Sequence, residues 1–332
     1  MSDPTTAVKG AAERTLPTQA SHPQSAEAVL QCVGRACFEH LRRHEPLARA
    51  GDPEGIHQMR VSIRRLKAIL SGFAAFIPAT ARRRASDELR WFGEAPGKAR
   101  NLDVVAAEIL APACAALPQS SEFERLTRAV ERRQALAHVA VRAAINSDRY
   151  ANSVVALATW FDACGWRRDS AIQLLVRPIS ALGPMVLQRR FQLVKKRAKH
   201  FRHQSKEKRH QLRIALKKLR NSAELLAGLY ADAKTGPFIG RLKRLQEDLG
   251  YLNDVRVARE VIARMAVSAS PNTGVAHAGR RVLAWHEHRL RRNARSLRKH
   301  LRRLLETEPF WSTDKPRAFC ADAKKTLSRR YK

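Results

Sequence analysis

The sequence predicts an all-α protein made of two pseudo-symmetric helical bundles related by an internal duplication. Apolar residues recur at helical spacing in almost every segment from residue 26 to 305, and strand-like alternation is scarce. Residues 57–67 also return as residues 210–220, without a gap and with a basic residue at every basic position. The copies begin 153 residues apart, which is far longer than a solenoid repeat, so we expect two multi-helix halves packed together.

Proline and glycine residues divide the helical region into its elements. The predicted helices cover residues 26–47, 54–76, 80–93, 102–113, 122–146, 184–203, 206–230, 238–249, 253–265 and 275–305. Residues 89–97 and 242–250 extend the repeat at the same offset, and each is followed by an acidic turn that contains Asp103 or Asp254. We predict a flexible leader at residues 1–25, a helical domain at 26–305 with halves of about 26–150 and 184–305, and a basic C-terminal tail at 306–332.

The charge of the chain indicates a polyanionic partner. The 332 residues include 63 Lys and Arg against 30 Asp and Glu, for a formal net charge of +33, while 44% apolar residues suffice for a core. A nucleic acid, a polyphosphate or an anionic membrane surface would relieve the resulting self-repulsion. Five irregularly spaced cysteines favour free thiols in a reducing cytoplasm. No stretch has the length and apolarity of a membrane span.

The repeated segment carries a row of cations along one helix. His57, Arg60, Arg64 and Lys67 fall within an arc of about 80° and extend over about 15 Å at 3.6 residues per turn. The neighbouring arc is apolar, so packing holds the row, and the second copy repeats this arrangement from His210 onwards. A duplicated row of cations predicts a duplicated site for an anion. A linear polyphosphate, which offers many oxygen acceptors and no base, matches such a track.

These segments resemble the CHAD domain, the conserved histidine α-helical domain family. The resemblance rests on the two His-x-x-Arg segments, on Arg100-Asn101-Leu102-Asp103-Val104, and on Leu249-Gly250 before Asn253-Asp254, and it spans about residues 26–305. It implies two helical bundles related by an approximate twofold axis, with basic side chains lining a central groove or pore. It also implies binding of inorganic polyphosphate and association with polyphosphate granules.

The candidate polyphosphate-binding residues come from the two rows and from basic positions near them. They are His57, Arg60, Arg64, Arg65, Lys67, Arg90, Arg100, His210, Arg213, Lys217, Lys218, Arg220 and Lys243. Because phosphate favours protonated histidine, we predict tighter binding at pH 6 than at pH 8. Asp103 and Asp254 are interpreted as helix starts or as orienters of nearby arginines.

We expect a binding protein with no catalytic residue, metal or cofactor. His286-Glu287-His288 lacks zincin spacing, since histidines two residues apart point to different faces of a helix, and we interpret it as a surface segment. A nucleic-acid or nucleoid-binding protein is the second hypothesis, although aromatic residues amount to only 6% and do not alternate with the basic rows. A phosphohydrolase that processes polyphosphate is the third, and it requires a carboxylate cluster that the sequence does not show.

Overall fold

The structure is a computed structural model that describes residues 24–118, 120–167, 175–268, 274–313 and 316. Within these residues the chain is helical and has no β-strand, which confirms the predicted all-α fold. The helices are α1 Ala26–Ala50, α2 Pro53–Gly72, α3 Ala79–Phe92, α4 Glu94–Val104, α5 Ala111–Ala116, α6 Ser121–Ile145, α7 Asp148–Asp162, α8 Ile179–Ala198, α9 Lys206–Leu226, α10 Asp232–Ser268, α11 Val275–Glu306 and α12 Phe310–Thr313.

The starts of corresponding helices keep the separation found in the sequence. Helices α1, α2 and α3 begin at residues 26, 53 and 79, and α8, α9 and α10 begin at residues 179, 206 and 232, so each pair is 153 residues apart. Helix α1 packs on α2 and helix α8 packs on α9, while α2 also contacts α9. This places the two helices that carry the cationic rows side by side.

Side-chain caps fix where the two row-bearing helices begin. The Asp52 carboxylate accepts a hydrogen bond from the backbone N–H of Gly55 at 2.7 Å, and Pro53 occupies the first turn of α2, where its missing N–H costs nothing. The Ser205 hydroxyl accepts from the backbone N–H of Lys208 at 3.3 Å at the start of α9. Each row therefore starts about one turn inside a capped helix.

Several predicted boundaries are wrong. The expected acidic turn at residues 100–104 is helical and lies in α4, and its counterpart at residues 252–255 lies inside the long helix α10. A break was expected at Pro96, which instead sits in the first turn of α4, where a helix needs no proline N–H. Residues 105–110, between α4 and α5, form a π-helical segment. Helix α7 was not predicted at all.

Two apolar clusters form the core. The larger one joins residues from both halves, among them the fully buried Leu66 of α2 and Leu219 of α9. The smaller one lies between the π-helical segment, α6, α10 and α11. Because the larger cluster includes the apolar faces of α2 and α9 together, burial of these faces fixes how the two helices are rotated toward each other.

The chain continues to pack beyond the predicted domain end at residue 305. Phe310 and Trp311 are 3% and 6% exposed, and their rings contact Phe238 edge-to-face at centroid distances of 5.6 and 5.0 Å. Of the predicted tail, residues 306–313 and 316 are described; its other residues lie outside the described residues, as do residues 1–23 of the predicted leader. No disulfide joins the four described cysteines, of which Cys37 and Cys164 are buried, whereas Cys320 is not described.

Candidate anion-binding site

The apolar faces of α2 and α9 hold the cationic rows in place. Met59, Ile63 and Leu66 of α2 are at most 3% exposed, and their counterparts Leu212 and Leu216 of α9 are fully buried. Arg60, Arg64 and Lys67 of the first row are half-buried beside this face, as are Arg213 and Lys217 of the second. These cationic side chains are therefore constrained by packing, as their spacing predicts.

Five cations from the two rows lie close enough to repel one another, and we call them the central cluster. Burial, followed by repulsion from Arg64 and Arg213, lowers the pKa of Lys217 to about 8. Arg60 and Lys67 act on Lys217 in the same direction. Since Lys217 lies on α9 and Arg64 on α2, the repulsion crosses between the two helices. The members of the central cluster are Arg60, Arg64, Lys67, Arg213 and Lys217.

The backbone of α4 anchors Arg60 from one side. Its guanidinium donates to the carbonyl oxygens of Gly97 at 3.1 Å and Pro96 at 3.3 Å. Burial, then repulsion from Arg64 and Arg100, lowers the pKa of Arg60 to about 10. Two carbonyl oxygens orient the guanidinium without neutralising it, so Arg60 contributes a positive charge held in a fixed direction.

A small cavity lies where the two rows end. It measures about 50 Å³, and Arg64, Arg65, Lys217 and Arg220 line it together with Glu224. The Arg220 Nε donates to the Glu224 carboxylate at 2.8 Å, and its guanidinium also donates to the Gln246 amide oxygen at 3.0 Å. An internal carboxylate therefore balances the charge of Arg220.

The two histidines occupy different environments. His57 is half-buried, and burial followed by repulsion from Arg100 lowers its pKa. His210 is exposed on α9, and burial of part of its ring, then repulsion from Arg213, lowers its pKa as well. Both rings are therefore poorly protonated near neutral pH while no anion is present, and a bound phosphate would reverse this.

The remaining candidate residues lie at the margin of the cluster or away from it. Arg90 is 76% exposed and pairs with Asp87 at 2.9 Å. Its charge nevertheless lowers the pKa of Lys67, although burial of Lys67 has the larger effect. Arg100 lies 3.8 Å from the Glu108 carboxylate and close to Arg60. Lys218 is exposed. Partial burial is the largest cause that lowers its pKa, and repulsion from Arg190 and Arg197, which are not members of the central cluster, is the next. Lys243 is exposed on α10.

Two carboxylates support the arginines of the rows. Asp103 is buried and accepts hydrogen bonds from Gln134 at 2.8 Å and His138 at 2.9 Å, both on α6. Its charge favours the protonated form of Arg60. Burial raises the pKa of Asp254. The charge of Asp254 favours the protonated form of Arg213. The interpretation of these residues as helix starts is wrong, because Asp103 lies near the end of α4 and Asp254 lies inside α10. The partners of Asp103 on α6 were not predicted, because no sequence spacing relates residue 103 to residue 138.

Sequence reasoning missed a group of arginines around His210. Arg209, Arg256 and Arg259 line a cavity of about 230 Å³ with His210 and Arg213. Arg256 and Arg259 stand two and five residues after Asp254 on α10. Their spacing with Asn253 places them on one face of that helix, and this signal could have identified them.

The structure also locates the segment considered for metal binding. His286 is fully buried, where its Nδ1 meets the Tyr251 hydroxyl at 2.5 Å and its Nε2 donates to the Ile109 carbonyl at 2.9 Å. The expectation of a surface histidine is wrong at this position, because His286 bridges α10, α11 and the π-helical segment. Among the described residues, no group of three or more His, Cys, Asp and Glu side chains is arranged to hold a metal ion.

The fold and the site define an all-helical protein in which two packed helices bring cations of both rows together. The sequence matches the family model of the CHAD domain over residues 32–263, and the chain belongs to this family. The crystal structure of the CHAD domain from the plant Ricinus communis is similar, with a TM-score of 0.73 and 25% identity, covering 89% of this chain and 94% of that chain.

A second solved structure shares the fold. PptA from Streptomyces chartreusis matches with a TM-score of 0.58 and 18% identity, covering 84% of this chain and all of that one. A comparison with curated proteins found no match. None of the described helices is long and apolar enough to cross a membrane.

Proposed function

We propose that this chain binds inorganic polyphosphate along its two cationic rows and does not cleave it. The observation that carries the proposal is the central cluster, where packing of α2 against α9 forces cations of both rows together. Concentrating like charges in a half-buried site costs folding free energy. A ligand with many anionic oxygens would remove this cost on binding, and so the cluster favours such a ligand.

Membership of the CHAD domain family supports the same ligand, since the activity known for this family is polyphosphate binding. We further propose that the equal 153-residue separations of helix starts reflect an internal duplication, and that the two rows line a groove between the halves. In such a groove the arginines would make forked contacts to phosphoryl oxygens, while Lys67 and Lys217 would act as mobile charges.

The chemistry of the central cluster favours polyphosphate over nucleic acid. The cavity at the end of the rows is lined by cationic, polar and aliphatic side chains, and no aromatic ring is among them. Single-stranded nucleic acids are usually held by stacking of bases on aromatic side chains, which polyphosphate does not need. Multivalent contacts would supply the affinity, and release of counterions would make it fall as salt rises.

A competition experiment tests the proposal. Labelled long-chain polyphosphate is bound at about physiological salt and displaced by unlabelled polyphosphate, duplex DNA or RNA, while released phosphate is monitored. We expect polyphosphate to compete best and no phosphate to appear. Better competition by DNA or RNA would replace the proposal with nucleic-acid binding, and release of phosphate would replace it with phosphohydrolase activity.

Charge reversal locates the site. Arg64→Glu and Lys217→Glu should each weaken polyphosphate binding, and together with Arg60→Glu and Arg213→Glu they should abolish it while circular dichroism still shows a helical protein. Lys196→Glu is the matched control, because Lys196 is exposed on α8 and its substitution changes the net charge by the same amount. Equal loss of affinity in the control and in the Lys217 variant would show that only overall charge matters.

We also propose that the protein resides in the cytoplasm and associates there with polyphosphate granules. This location follows from the proposed ligand, because granules present polyphosphate at high density. A fluorescent fusion should colocalise with granules and should become diffuse when Arg64 and Lys217 are both reversed in charge. Granule association that persists in this double variant would show that another surface mediates it.

A further inference from the structure

The cavity beside His210 differs from the central cluster because it combines cations with an apolar floor. It measures about 230 Å³ and lies between α9, α10 and α11. Leu249 and Val255 form its buried floor, and Leu252 and Leu290 are half-buried at its wall. Basic side chains surround these apolar residues: Arg209, His210, Arg213, Arg256 and Arg259.

The first row has no equivalent of the three additional arginines, Arg209, Arg256 and Arg259. At the positions that correspond to the three additional arginines, the first half carries Ile56, Val105 and Glu108. Ile56 and Val105 are buried in the core, and Glu108 is acidic. The two ends of the proposed polyphosphate track are therefore unequal, and the end near His210 carries three additional arginines.

A plain phosphate chain gains nothing from half-buried leucines, since it has no apolar surface to cover them. A ligand that joins phosphates to a flat, largely apolar ring uses both parts of the cavity. The volume lies just below the range of about 300–1,000 Å³ typical of pockets that enclose a whole drug-sized ligand. It therefore suits the ring alone, with the phosphates extending outside toward the arginines.

We propose that this cavity binds a nucleoside polyphosphate, with the base against Leu252 and Leu290 and the phosphates directed along the second row toward Arg213. The inference rests on the proposed function to the extent that His210 and Arg213 serve both ligands. Arg256 is held in position by its contact with the Asn253 amide oxygen at 3.2 Å and by an ion pair with Glu260. Arg259 and Arg209 are exposed at the rim of the cavity.

The test compares ATP with inorganic tripolyphosphate, which has the same number of phosphates and a higher charge but no base. Binding is measured by calorimetry at equal ionic strength without divalent ions. We expect ATP to bind about tenfold more tightly, which corresponds to covering about 50 Å² of apolar surface. Equal or weaker binding of ATP would overturn the proposal, and so would an alkyl phosphate that binds better than ATP.

Two variants separate the base from the phosphates. Leu290→Gln should remove the preference for ATP over tripolyphosphate and leave binding of long-chain polyphosphate unchanged. Leu283→Gln is the matched control, because Leu283 is half-buried on the same helix and against the same apolar cluster but does not line the cavity. A preference that survives Leu290→Gln would place the base elsewhere.

Photocrosslinking gives an answer that does not depend on the folding of a variant. With 8-azido-ATP, the label should attach to α10 or α11 near Leu252 and Leu290, and excess ATP should prevent it. Labelling of another region would refute the proposed cavity. Preference for ATP without any binding of long-chain polyphosphate would refute the proposed function and leave this inference intact, and the reverse result would refute this inference alone.

Discussion

The pKa of Lys217 predicts how polyphosphate affinity depends on pH. Burial, followed by repulsion from Arg64 and Arg213, lowers this pKa from its ordinary 10.5 to about 8 in the free protein. Phosphate oxygens bound next to the ammonium group would return the pKa to this ordinary value. The complex then retains a proton that the free protein loses above pH 8, so binding takes up a proton and affinity falls as pH rises.

The size of the effect follows from these two values. At pH 7 nearly all of Lys217 is protonated in the free protein, whereas at pH 9 about one tenth is, so affinity should fall about tenfold between them, or about 1.4 kcal/mol. His57 and His210 titrate at lower pH because burial lowers their pKa. Their deprotonation therefore adds a further decrease in affinity with rising pH, at pH values below this window. Calorimetry at constant ionic strength, in buffers with different ionisation enthalpies, measures both the affinity and the proton uptake.

Substitution by arginine isolates the contribution of Lys217. Arginine keeps its charge throughout this range, so Lys217→Arg should bind polyphosphate with nearly constant affinity from pH 7 to 9. Lys196→Arg, on the exposed face of α8, should retain the tenfold decrease of the wild type. A decrease that persists in Lys217→Arg would refute the reasoning, because another group would then carry the proton.

Three further predictions concern stability, each measured by denaturant unfolding without ligand. Lys217→Met should stabilise the protein by about 1–3 kcal/mol, since it removes a half-buried charge that its neighbours repel; a loss of stability would contradict this. Asp103→Ala should destabilise it by about 2–4 kcal/mol, because two side chains of α6 lose their acceptor, and near-wild-type stability would contradict that hydrogen-bond network. Gly240→Ala, with open space around it in α10, should stabilise by about 1 kcal/mol, whereas Gly279→Ala in α11 would overlap Ile262 and destabilise; equal effects would refute this packing.

Local regularities made much of the fold predictable. The 3.6-residue period beside an apolar stripe placed Arg60, Arg64 and Lys67 on one face of α2, and the structure shows them half-buried there. Helix α7 carries similar signals, with Ser147 as its cap and apolar residues at positions 150, 154, 157 and 161, so the sequence also contains the information that predicts this helix.

Proline and glycine predict helix breaks that the structure does not contain. Proline lacks an N–H, but in the first turn of α4, where Pro96 lies, that group has no partner to lose. Gly250 lies within α10, where the surrounding residues hold the helix together across it. A single glycine costs only about 1 kcal/mol in a helix, which tertiary packing readily exceeds.

The sequence by itself determined the helical class, the two cationic rows and the side of its own helix on which each row lies. Helical periodicity is a local property, and it orders side chains around one axis only. Tertiary structure decided that Arg64 repels Lys217 across α2 and α9, that Lys218 lies near α8, and that His138 reaches Asp103. These outcomes depend on how each helix is rotated against its neighbours, and burial of all the apolar faces together sets that rotation.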